Sequence, residues 1–403
     1  MVRGLSFLEC GVADCLSLRD LVDEKVGLLG PGGLHLGGPK RLLLDGFMAS
    51  DRHVLSRSYF GDYPDLLPAV EIVFEGHLTV PEPFSLELTL LCGQCFRWEQ
   101  DSERPGWFRG VAGQAYWELS QKGNWLRWKC TSTDVRGEEA SVWLGRYLGF
   151  EDPLDSWSRE FETSEVLGKP LSVLKGMRLI RQEPWECTVS YMFAQGLSVK
   201  VIRHAIGKFC AKFGKPIDGA PGCFTFPEPS TISLLSPDQL RAFTNNYRAR
   251  ADRIIRAARV VEAQVLTLEH FKNIPCDDAR EALMALDGIG PKIADCILLF
   301  SMDHYSAFPV DRWVLRAMKQ YYRSVKLLGA GSEAPTRTQY VKIVQKARKF
   351  LGSRCGVASE YLFLFLRLLD DAKLREELRP YCGEWETVLA MIDAPKSKKK
   401  SKS

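Results

Sequence analysis

The chain has 403 residues, 45% of them hydrophobic and 26% charged, enough for two or three domains around a substantial core. No apolar run reaches the ~18 residues that a membrane span needs, and the first thirty residues lack the basic-then-apolar pattern of a secretory signal. Net charge is only +4, and the tail Lys396–Ser403, KSKKKSKS, holds five lysines, so the body is close to neutral and any nucleic-acid affinity must come from local clusters.

In chain order, residues 1–68 are rich in Gly and Leu. GLLGPGGLHLGGPKRLLLDG has too many breakers for a helix and too little alternation for a strand. This stretch reads as a poorly ordered extension without an assigned function, with Met48 as an alternative start. Residues 69–165 read as an antiparallel sheet domain. FSLELTL (Phe84–Leu90) alternates strictly, and CFRW, WFRGV, AYWELS and NWLRWKC follow between Gly, Pro and Asp/Ser turns. Six of the ten tryptophans lie between Trp98 and Trp143, where core packing is the better reading than base stacking.

Residues 166–392 read as an all-α domain. Pro184 suits the first turn of a helix, Ser198 can cap a helix ending at Gly214, and Ser236-Pro237 opens another. Arg248–Leu266 is amphipathic, with Ile254, Ile255, Ala258, Val261 and Val265 on one side. Further helices are expected at Asp311–Tyr322, Thr338–Leu351 and Val357–Leu369. Residues 393–403 are expected to form a basic disordered tail. The twelve cysteines include a lone CxxC, Cys92 and Cys95, without a zinc-spaced partner or the four close cysteines of an iron–sulfur cluster. Reduced thiols, no metal and no cofactor are the expectation.

The most informative stretch is ALMAL–DGIG–PKIADCILLF, helix, tight turn, helix. Gly288 and Gly290 permit backbone angles that other residues resist and let a phosphate approach. Pro291 fits the first turn of the second helix, whose unpaired N–H groups and positive dipole end make an anion site. Lys292 follows in that first turn. The dipole and partial burial should lower its pKa and leave some free amine, a nucleophile able to form a Schiff base with a sugar carbon. Asp311, after Pro309-Val310 and before RWVLRAM, sits near a helix N-cap, where backbone N–H groups keep a carboxylate ionised and able to steady an oxocarbenium-like cation. Taken alone, Lys292 reads better as a surface phosphate contact and Asp311 as a plain helix cap.

LDGIGPKIADCILLF…AFPVD resembles the signature of the helix–hairpin–helix base-excision DNA glycosylases, and within them the 8-oxoguanine DNA glycosylase/AP lyase branch. CGQCFRW, RLIRQEPWEC, NNYRARADRI and ASEYLFLFLR agree with it, over about residues 80–395. The resemblance implies an α+β fold, a TBP-like antiparallel sheet domain followed by a helix–hairpin–helix glycosylase domain. It implies base flipping, removal of an oxidised purine from damaged double-stranded DNA and strand nicking by β-elimination. It assigns Lys292 as the Schiff-base nucleophile and Asp311 as the catalytic carboxylate. Gly93 matches the glycine whose carbonyl reads the base, and Cys296 and Phe363 match the residues that sandwich it. Pro309, Trp313 and Ser359 fall at further substrate-binding positions. Tyr247 matches a wedge in the DNA, Arg248 a contact to the orphaned cytosine, and Gly288 and Gly290 the hairpin's DNA contacts.

The sequence also departs from the pattern. Gly196, Leu197 and Ser198 replace the asparagines of a gap-filling turn, and Val201 replaces an arginine. Ser359 stands where a glutamine usually holds the base's pairing edge, and Trp313 where some members have a histidine. Lys200, Arg203, Lys208, Lys212, Arg248 and Arg250 would track phosphates. The chain is expected to act as a monomer without a membrane, in the cytoplasm or nucleoid of a bacterium or the nucleus of a eukaryote. Two other readings stay open: an alkylpurine, 3-methyladenine-type glycosylase, and a non-catalytic hairpin module that only binds DNA.

Overall fold

The computed structural model describes residues 74–393, apart from 163, 165 and 322–333. The expected N-terminal extension and nearly all of the basic tail lie outside the described residues.

The first part is a sheet with one short helix laid into its entry. Strand β1 (Phe74–Thr79) is followed by helix α1 (Leu86–Leu91), then by the meander β2 (Trp98–Gln100), β3 (Trp107–Ala112), β4 (Ala115–Lys122) and β5 (Trp125–Cys130). Every pairing is antiparallel, and β1 returns to β5, giving the order β1-β5-β4-β3-β2. The expected strand over Phe84–Leu90 is instead α1. The Ser85 hydroxyl accepts from the Leu88 amide and caps it, and Leu86, Leu88, Thr89, Leu90 and Leu91 are all buried. Burial on every side erases the face that the alternation implied. Most tryptophans of this region pack inward, as expected. Trp117 and Trp143 stack at 5.7 Å, Trp143 stacks on Tyr147 at 4.8 Å, and Trp98 Nε1 donates to the Tyr147 hydroxyl at 2.8 Å.

A small ribbon, β6 (Asp134–Val135) with β7 (Glu138–Glu139), leads into α2 (Ala140–Tyr147), α3 (Leu154–Glu162) and α4 (Gly168–Val173). Then come α5 (Pro184–Phe193), with Pro184 in its first turn, and α6 (Val199–Phe213), which starts after Ser198 and stops at Gly214. The segment expected to be all helix contains a two-stranded hairpin, β8 (Pro216–Ile217) and β9 (Ala220–Phe224), too short to show alternation. Helices α7 (Pro229–Ser233) and α8 (Pro237–Arg241) follow, the latter with a full capping box on Ser236 and Gln239. Helix α9 runs Arg248–Glu262, not to Leu266, because the chain turns left-handed at Gln264 (φ 53°). The rest is α10 (Cys276–Met284), α11 (Pro291–Ser301), α12 (Arg312–Tyr321), α13 (Arg337–Leu351), α14 (Cys355–Asp370), α15 (Ala372–Leu378) and α16 (Trp385–Asp393). One continuous apolar core runs from Val80 to Val388, through sheet and helices alike. No helix among the described residues is long and apolar enough to cross a membrane.

Candidate active site

The α10–turn–α11 hairpin is built as the sequence requires. Leu286 and Ile289 are buried beneath the turn and anchor it. Gly288 takes φ +89°, and a Cβ there would lie 2.7 Å from Arg253 Cδ. Gly290 differs from expectation. Its φ is −89°, an ordinary value, and a Cβ would meet nothing within 4 Å. Its smallness leaves open space in front of α11, whose N-terminus carries no side-chain cap. Those free N–H groups and that clearance suit an incoming phosphate.

A second segment is stapled to the hairpin. Gln195, in the turn after α5, donates from Nε2 to the Gly288 carbonyl at 2.9 Å. Arg250 holds the same turn from the other side, donating to the carbonyls of Phe193 at 3.2 Å and Gln195 at 2.7 Å. Arg250 was expected to track phosphates; its guanidinium is instead spent on this turn, 5.7 Å from the centre of the Tyr247 ring. Tyr247 itself is 51% exposed at the start of α9. The neighbouring Arg248 is exposed and pairs with Asp238 at 3.4 Å. Tyr247, the turn and the hairpin thus form one connected line on the surface.

Lys292 projects from the first turn of α11 toward the core. Its Nζ lies 5.3 Å from the centre of the Tyr191 ring and hydrogen-bonds the Cys296 sulfur one turn on. Burial works to depress its basicity, but the Cys296 sulfur and the Asp311 carboxylate outweigh it, and the net displacement is upward. The expectation of a lowered pKa is therefore corrected: the free protein holds an ammonium, because the helix start also brings it an anionic partner. Burial pushes the Cys296 thiol up to about 12, against the pull of Lys292.

Asp311 caps α12 as expected. Its Oδ1 accepts from the amides of Trp313 at 2.9 Å and Val314 at 2.8 Å. Burial raises its pKa even so, against those two amides and Lys292. Pro309 is buried just ahead of it. Trp313 is half-buried, with the Arg312 guanidinium 4.9 Å from its ring centre. A buried network that the sequence did not announce fixes this segment to α11. The Tyr340 hydroxyl donates to Asp295 Oδ2 at 2.7 Å and accepts from the Val310 amide at 3.2 Å, while Arg280 Nε donates to Asp295 Oδ1 at 2.6 Å. Asp295 lies beside Cys296, and Val310 beside Asp311, so the network sets the spacing of the two halves of the site.

The opposite wall comes from the sheet side. Gly93 has φ +107°, and a Cβ on it would lie 3.4 Å from Arg367 Nη1 and 3.8 Å from Phe363 Cε1. Gln94 pins this segment. Its carbonyl accepts from Gln182 Nε2 at 2.8 Å and from the Tyr191 hydroxyl at 3.1 Å, while its own amide donates to the carbonyls of Thr89 and Arg178. Tyr191 therefore touches both Lys292 and the Gly93 segment. Ser359 is 2% exposed, and its hydroxyl donates to the Gly356 carbonyl at 2.6 Å, so it is spent within α14. Glu360, unremarked in the sequence, is buried among the charges of Asp311, Arg367 and Lys292.

Comparison with known proteins agrees with this assembly. The model for the 8-oxoguanine DNA glycosylase N-terminal domain matches residues 77–188, and that for HhH-GPD superfamily base excision DNA repair proteins matches 189–329. The N-glycosylase/DNA lyase OGG1 of Arabidopsis thaliana is 27% identical over 245 residues, 59% of this chain and 66% of that protein, just under two thirds of its length. The probable N-glycosylase/DNA lyase of Methanothermobacter thermautotrophicus is 30% identical over 224 residues, 50% of this chain and 67% of that protein. Among solved structures, the Clostridium acetobutylicum 8-oxoguanine glycosylase/lyase superposes with a TM-score of 0.62 at 27% identity, covering 74% of this chain and 99% of that one. Sheet, hairpin and site together place the chain in the HhH-GPD superfamily of base excision DNA repair proteins, in its 8-oxoguanine DNA glycosylase branch.

Proposed function

We propose that the chain is a bifunctional DNA glycosylase that removes an oxidised purine of the 8-oxoguanine type from duplex DNA and nicks the resulting abasic site. The observation that carries this reading is the meeting of Lys292, Cys296 and Asp311 behind an uncapped helix start. The hairpin and the Gln195 turn hold the duplex by its phosphates, and Tyr247 stands where a wedge can replace the extruded nucleotide. The bond from C1′ to the base breaks with its electron pair leaving on the base, and the Asp311 carboxylate steadies the positive charge left on the sugar. The departing base takes a proton from the Lys292 ammonium, the freed nitrogen bonds to C1′, and the C1′–O4′ bond breaks as a second proton passes from nitrogen to O4′, leaving the opened sugar as a protonated imine. Loss of a C2′ proton then expels the 3′ phosphate by β-elimination.

All of these groups come from one chain, which supports action as a monomer. Val201, 45% exposed, replaces the family's arginine and leaves Arg248 to meet the opposite base, so weak opposite-base preference belongs to the proposal.

The test is a panel of duplexes carrying 8-oxoguanine, FapyG, 3-methyladenine or uracil, scored separately for base release, nicking and borohydride-trapped adduct. The expected result is release, nicking and adduct with the oxidised purines, all lost in Lys292→Gln. Release of 3-methyladenine without an adduct would make the protein a monofunctional alkylpurine enzyme. Binding of damaged duplex without release would make it a hairpin module only.

A further inference from the structure

Helix α14 is apolar over most of its length, yet it carries an acid into the interior. Glu360 is 6% exposed, and its Oε1 has no hydrogen-bond partner among the described residues. Leaving a carboxyl oxygen buried and unpaired costs on the order of 1–3 kcal/mol, so its retention points to a partner that arrives. The other side of the carboxyl meets the Cys92 thiol, next to Gly93.

Its position says what that partner would be. Glu360 lies three residues before Phe363 and seven before Arg367, so all three share a face of α14. That face packs on the Gly93 segment, where Arg367 Nη1 donates to the Cys92 carbonyl at 3.4 Å. The titratable and charged groups around Glu360 are Cys92 and Cys95 from the sheet side, Tyr191 from α5, Lys292 from α11, Asp311 ahead of α12 and Arg367 on its own helix. The acid is thus set between the residues proposed to act on the sugar and those proposed to hold the base. The neighbouring Ser359, at the position expected to hold the base's pairing edge, has its hydroxyl spent on Gly356.

We infer that Glu360 is a specificity-determining residue that hydrogen-bonds the pairing edge of the extruded purine; this rests on the glycosylase reading above. Burial first, and Asp311 after it, push its pKa up to about 8, against Cys92, Arg367 and Lys292. At neutral pH it is therefore an uncharged acid, with one donor and one acceptor side by side. That pair complements the adjacent O6 acceptor and N1–H donor of an oxidised guanine. Above about pH 8 the carboxylate only accepts, and the bond to O6 is lost.

The experiment uses the full chain as Glu360→Gln and Glu360→Ala. It measures single-turnover base release from an 8-oxoguanine duplex, nicking of a preformed abasic duplex, and thermal unfolding. Nicking needs no base in the pocket, so Glu360→Ala should lower base release about 10- to 100-fold, the size of one lost bidentate contact, and lower nicking far less. Glu360→Gln, which keeps a donor and an acceptor without charge, should retain base release within a few-fold and lose the fall in release that wild type shows above about pH 8. Neither variant should melt below wild type, because the acid removed has an unpaired oxygen. Equal loss of both activities, loss of neither, or a Gln variant as impaired as Ala would overturn the inference. Wild-type protein that nicks abasic duplex yet releases no base from any duplex would instead overturn the glycosylase reading beneath it.

Discussion

Tyr340→Phe tests whether the buried network positions Asp311, the proposed catalytic carboxylate. The substitution removes one oxygen and leaves the ring. That oxygen donates to Asp295 at 2.7 Å and accepts from the Val310 amide at 3.2 Å; the Phe308 carbonyl lies farther from it, at 3.1 Å, than the charged Asp295. Tyr340 is 3% exposed and Asp295 fully buried, so water cannot stand in for the lost group. A hydrogen bond to a charged acceptor is worth about 1.5–3 kcal/mol, and a stranded buried amide costs about 1–3 kcal/mol. The loss should therefore be about 3–5 kcal/mol by urea unfolding, a fall in melting temperature on the order of 10 °C. Asp311 follows Val310 directly, and a displacement of about 1 Å there should slow nicking of an abasic duplex about 10- to 100-fold at temperatures where the variant is folded. A double-mutant cycle with Asp295→Asn should give a coupling of about 0.5–3 kcal/mol. A stability loss below about 1 kcal/mol, or the full loss with an unchanged nicking rate, would refute this account.

The upward displacement of Lys292 carries a sign. A site that stays protonated at neutral pH gains free amine about tenfold per pH unit, so single-turnover nicking should climb steadily from pH 6 to pH 9. A plateau reached by about pH 7 would mean that burial alone governs the amine. Gly288→Ala forces a side chain into φ +89° and 2.7 Å from Arg253, which should cost about 1–3 kcal/mol and disturb the carbonyl that Gln195 holds. Affinity for undamaged duplex, measured by anisotropy, should drop several-fold; unchanged affinity would remove the turn from the DNA-binding surface.

What could be read from the chain depended on how local its cause was. The hairpin apart from Gly290, the cap at Asp311 and the proline starts of α5 and α8 depend on a few adjacent residues, and each has the expected form. Helix α1 did not, because Leu86, Leu88 and Leu90 satisfy a strand period while burial on all sides removes the distinction. The end of α9 depends on one left-handed residue, Gln264, that carries no special chemistry. Within the site, the motif pointed to Lys292 and Asp311 and the family resemblance to Cys296, and the structure brings the three side chains together. The direction of the Lys292 displacement was missed because it depends on how closely Asp311 and Cys296 approach, which no spacing states. Glu360 and the Asp295–Tyr340–Val310 network escaped for the same reason: an acid inside a helical stretch is ordinarily a solvated charge, and only the packing shows otherwise.

The bond from Gln195 to Gly288, backed by Arg250, makes the turn and the hairpin a single rigid jaw. Its shape is set before any nucleic acid arrives, so docking forfeits little backbone freedom on this side. On the proposed function, the flexibility needed to extrude a nucleotide must then come chiefly from the duplex, whose weakened pairs at damage become the yielding partner. A glycosylase of the proposed kind would search by testing how readily DNA deforms against a fixed mould.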